Sequence, residues 1–78
     1  DSAKLFAKRL RDEAGDDPAA QVAHALKITF SRKPTDQEVA AGLAMIKDMR
    51  EKAGLSEEVA LERFALLALN LNEFVYLD

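Results

Sequence analysis

The chain contains a single histidine, His24, which is the first place to look for chemistry. An imidazole titrates near neutrality and can act as acid, base or metal ligand. A metal site needs several converging ligands, and the helical neighbours of His24 at i−4 and i+4 are Ala20 and Ile28. On a helix His24 falls beside Gln21 and Lys27, away from the stripe containing Leu26, and reads as a solvated surface residue. Two carboxylate pairs, Asp16/Asp17 and Glu57/Glu58, have the composition of an acid–base site. Both fall at helix starts, where the helix dipole favours negative charge. No surrounding apolar pattern supplies the desolvation that a general acid requires. With no cysteine there is no thiol nucleophile, thiolate metal site or disulfide. No catalytic, cofactor or metal residue is assigned.

Lys4, Lys8 and Arg11 form a basic stripe, followed later by Arg32 and Lys33. Such a stripe can meet phosphates. The segment "PTDQEVAAGLAMI" also has the outline of a helix-turn-helix opening, but the next helix begins "SEEVALER". Acidic residues at that end repel DNA, and the net charge is -3. Nucleic acid is therefore the weakest of the partner classes considered. A different constellation closes the chain: "LALNLNEFVYLD" places Asn70 and Asn72 inside an apolar run ahead of Phe74 and Tyr76. An Asn near a helix end caps it or bonds a neighbouring loop; the functional alternative is that Asn72 and Glu73 fix a contact to another part of a larger protein.

Four helical segments position these residues. Ala, Leu, Glu and Lys dominate, and only three Gly and two Pro interrupt them. The first segment covers residues 3–14, between a Ser2 cap and Gly15. Asp17 caps the second, with Pro18 at its first position; Ala19, Val22, Ala23, Leu26 and Phe30 share a face until "SRKPT" stops it. "TDQE" carries the strongest local signal: Thr35 and Glu38 have capping-box spacing. Val39, Gly42, Leu43, Ile46, Met49 and Ala53 then form the face of the third helix, and Gly42 implies a close approach between helices. Gly54 ends that helix and Ser56 caps the fourth.

The fourth helix has one face of Ala60, Leu61, Phe64, Leu67, Ala68, Leu71 and Val75, with Val59, Leu66 and Leu69 on the other side. A helix apolar nearly all round is either central or covered by something else. The expectation is a central helix flanked by the first and third, with its tail over the second. The predicted core comprises Phe6, Leu10, Leu26, Phe30, Leu43, Ile46, Phe64, Leu67 and Leu71. Leu66, Leu69 and Tyr76 are surplus to that core and, with Asn72 and Glu73, are the candidate interaction residues.

Two separated motifs resemble the C-terminal region of an uncharacterised planctomycete family whose members occur with planctomycete-type cytochrome c domains. Arg32, Pro34, Thr35 and Glu38 match the Arg-x-Pro-Thr turn, and Asn70, Asn72, Glu73, Phe74 and Tyr76 match its closing motif. The resemblance spans residues 20 to 78. It implies the tail of an exported, multidomain protein, in the periplasm or at the cell surface. The family has no established activity, and without Cys-x-x-Cys-His no haem attaches to this chain. A weaker similarity links the chain to a helical module of exported matrix or surface-layer proteins.

The sequence is therefore read as one all-α domain, a compact four-helix bundle with short loops and the C-terminal fragment of a larger protein. Its expected function is that of a non-catalytic interaction or packing module without cofactor. The expected partners are other domains of the parent protein or a second copy, with no nucleic acid and no membrane insertion. The alternatives are completion of an enzyme active site in the parent and, last, nucleic-acid binding.

Overall fold

The computed structural model describes residues 2–76 of the 78, and side chains for residues 2–71. It is an all-α four-helix bundle: α1 (Ser2–Ala14), α2 (Pro18–Phe30), α3 (Asp36–Glu51) and α4 (Glu57–Tyr76). Ser2 lies inside α1 instead of capping it.

The other helix ends follow from local chemistry. Gly15 adopts φ +81° and its N–H returns to the Arg11 carbonyl at 3.0 Å. Asp17 caps α2, its Oδ1 accepting from the Ala19 N–H at 3.2 Å. At α3 the Thr35 hydroxyl accepts from the Glu38 N–H at 3.1 Å, and the Glu38 carboxylate accepts from the Thr35 N–H at 2.8 Å. This is the reciprocal box its spacing predicts. Gly54, at φ +69°, lets the Leu55 N–H return to the Met49 carbonyl at 3.1 Å. Ser56 Oγ accepts from the Val59 N–H at 3.2 Å. The α2 stop differs slightly from expectation: the chain turns at Ser31, in the left-handed region at φ 54°, ahead of the Lys33–Pro34 step.

Each helix packs on the next, and α4 closes the ring on α1. One diagonal is also in contact: α2 touches α4, whereas α1 and α3 do not meet among the described residues. In cross-section the bundle is a rhombus with α2 and α4 on its short diagonal. The expected central position of α4 is thus observed, and α2 shares it. Small residues permit this closeness. Ala7, Ala25, Ala60 and Ala65 are fully buried, and a Cβ at Gly42 would lie 2.6 Å from Val22 Cγ1.

The core contains Phe6, Leu10, Val22, Leu26, Ile46, Leu61 and Phe64, with Phe30 and Leu43 half-buried against it. Two predicted core members are corrected. Leu67 is 39% exposed and Leu71 is 49% exposed. The face that α4 buries is Ala60, Leu61, Phe64, Ala65 and Ala68. Apolar residues run around most of α4, so periodicity alone does not choose a face. Close helix approach selected the alanine-rich side over the leucine-rich one. Leu71 has a further reason. It lies seven residues beyond buried Phe64, on nearly the same face. But α4 has 20 residues against 13 in α1 and α2, and at about 1.5 Å per residue it outruns them.

Candidate interaction surface

Several of the chain's charges pair within it. Lys8 pairs with Asp12 at 2.6 Å and Arg9 with Glu13 at 3.0 Å. Arg32 makes a bidentate contact to Glu38 at 2.9 and 2.8 Å and lies 5.1 Å from the Phe30 ring centre. That guanidinium is the first cause, and the Thr35 N–H the second, of the lowering of the Glu38 carboxyl to about 2. Glu38 correspondingly raises Arg32 above its ordinary value. Of the basic stripe, Lys8 and Arg32 are thus taken up in ion pairs. Arg11 turns into a crevice of roughly 350 Å³ that it shares with Asp16, Gln21, Glu57, Glu58 and Leu61. Its Nη1 is buried without a hydrogen-bond partner among the described residues. The two carboxylate pairs thus come to the same end of the bundle, with all four acids exposed.

His24 is not the solvated residue its helical projection implies. Its side chain is 29% exposed, and Nε2 lies 2.6 Å from Glu13 Oε1 across the α1–α2 turn. His24, followed by Arg9, holds the Glu13 carboxyl below its ordinary value. The projection saw only neighbours on α2; the contact belongs to the tertiary packing. Two buried polar groups were likewise unmarked in the sequence. Gln21 Nε2 donates to the Gly15 carbonyl at 2.7 Å, and Thr29 Oγ1 donates to the Ala25 carbonyl at 3.0 Å. Among the described residues no three His, Asp or Glu side chains converge as a metal site. No described helix is long and apolar enough to cross a membrane.

The apolar surface left over is unevenly distributed. Along α4, Val59 is 37% exposed, Leu66 47%, Leu67 39% and Leu71 49%. Of the candidate interaction residues, Leu66 is exposed, while Leu69 is half-buried and packs against the core. The side chains of Asn72, Glu73 and Tyr76 lie outside the described residues, as does the expected placement of the tail over α2. An apolar groove of roughly 800 Å³ runs between α2 and α3, lined by Ala19, Ala20, Ala23, Val39, Ala40 and Leu43, with His24 at its edge. Helical alternation did not reveal it, because alanines serve equally as core and as surface.

No family model, curated protein or solved structure matches this chain.

Proposed function

We propose that the chain is a non-catalytic packing module that docks through the outer side of α4. The observation that carries this reading is the pair Val59 and Leu66, 37% and 47% exposed on the side of α4 opposite its buried face, with Leu67 and Leu71, 39% and 49% exposed, elsewhere on the same helix. Single exposed leucines are ordinary, whereas apolar residues gathered along one element characterise an interaction site. The resemblance of Arg32–Glu38 and Asn70–Tyr76 to planctomycete C-terminal tails supports the same role within an exported multidomain protein, where the partner is another domain or a second copy.

Thiol accessibility at position 66 tests this. The chain has no cysteine, so Leu66→Cys introduces one probe. In the protein at its natural length, Cys labelling at this position should be much slower than in the 78-residue chain diluted until it is monomeric. Equal labelling rates would remove the reading.

A further inference from the structure

The outer stripe of α4 has features that match a second copy of itself. At 3.6 residues per turn, Val59, Leu66 and Asn70 fall within about 40° of one another around the helix. Glu62 lies on one flank of this stripe and Arg63 on the other. Val59, Leu66, Arg63 and Asn70 are exposed and Glu62 is half-buried. Among the described residues neither Glu62 nor Arg63 has an ion-pair partner. Of the other arginines, Arg9, Arg32 and Arg50 each pair with a carboxylate within the chain, and Arg11 turns into the crevice it shares with Asp16, Glu57 and Glu58.

Symmetry decides which self-pairing these charges allow. A two-fold axis running along the helices sets the acidic flank of one α4 against the basic flank of the other, at the same height. A two-fold axis across them, which makes the helices antiparallel, sets acid beside acid and base beside base. Only the parallel arrangement is charge-complementary. It also stacks each stripe residue on its own copy: Val59 on Val59, Leu66 on Leu66, Asn70 on Asn70. Leucine and valine do so without cost. An amide can donate to and accept from its twin, and an Asn on an otherwise apolar seam fixes register and strand number in parallel helix pairs.

We infer that the chain self-associates through a parallel, in-register pairing of α4, with Glu62 of each copy meeting Arg63 of the other. This rests on α4 being the docking surface and names its occupant. The stripe from Val59 to Asn70 is about 18 Å long at 1.5 Å per residue. Contact over that length falls at the low end of the area of stable interfaces, so the dimer is weak and concentration-dependent.

Single-cysteine crosslinking tests the register. Val59→Cys and Leu66→Cys, made separately, should each give a disulfide-linked dimer under mild oxidation, much faster than a Lys47→Cys control on α3. An antiparallel pair can bring at most one of the two positions onto its own copy. Sedimentation then tests the charges. Glu62→Arg should weaken association at least several-fold, and adding Arg63→Glu should restore it, because opposite signs again face each other. Circular dichroism checks that every variant keeps its helix content. Crosslinking of only one position, rates equal to the control, or a double variant as weak as the single one would overturn the inference. If position 66 is protected in the natural-length protein and yet neither cysteine crosslinks, the docking face stands and its occupant is not a second copy.

Discussion

A hydrogen atom where other residues carry a side chain sets the spacing at the centre of the bundle. A Cβ at Gly42 would meet Val22 Cγ1 at 2.6 Å and the Phe64 ring at 3.2 and 3.3 Å. Alanine is the better helix former by about 1 kcal/mol, but inserting a methyl into a packed core costs about 1–3 kcal/mol. Because three helices meet here, the steric term should win. Gly42→Ala is expected to lower stability by up to about 2 kcal/mol in chemical denaturation, the difference of those two effects. Val22→Ala removes the nearest methyl, so the double variant should lose less than the sum of the two single losses. Full additivity would show that the conflict lies elsewhere.

At the scale of elements, α3 shows how far a local signal reaches. The Thr35–Glu38 box was legible because its chemistry is contained in four consecutive residues. The addition of Arg32, which clamps the same carboxylate, was not, since it requires the chain to turn at Ser31. Thr35→Ala should cost about 1 kcal/mol. Glu38 makes a pH prediction as well. Its folded-state carboxyl is lowered from 4.5 to about 2. Its contribution is therefore fully present above about 4.5 and is lost as pH falls towards 2. The thermal midpoint of the wild-type chain should drop across that window. Glu38→Gln should begin lower at neutral pH, show a shallower acid limb, and converge with the wild type at the acid end. A parallel offset at every pH would mean that the ion pair contributes nothing that titrates. The stripes of α1 and α2 were equally legible for Phe6, Leu10, Val22 and Leu26. On α4 the face was legible for Ala60, Leu61, Phe64 and Ala68 but not for Leu67 and Leu71, since leucine and alanine carry the same periodicity and only the neighbouring helices distinguish them.

For the whole molecule, fold class and helix count followed from composition and punctuation, while the interior depended on which helices approach most closely. That distinction has a measurable form. Leu10 is fully buried, and Leu10→Ala should cost about 2–5 kcal/mol. Leu67, expected in the core but 39% exposed, should lose no more than about 1 kcal/mol as alanine. Urea denaturation of the two variants compares them directly. Equal losses would place Leu67 back in the interior. The candidate interaction residues divide in the same way. Leu66 was identified because it lies opposite any face α4 could bury, whereas Leu69 lies at the boundary, where a small rotation of the helix decides its burial.

The rhombic cross-section has a consequence for how the molecule opens. With α1 and α3 out of contact among the described residues, each of the two is held to the rest by α2 and α4. Releasing α1 breaks two seams and leaves α2, α3 and α4 in mutual contact. Releasing α3 also breaks two seams and leaves α1, α2 and α4 in mutual contact. Departure of α1 takes Ala3, Phe6, Ala7 and Leu10 out of those seams, and departure of α3 takes Gly42 and Ile46, so of the two openings that of α3 exposes less core and is the lower excursion, with α1, α2 and α4 persisting as a three-helix foldon.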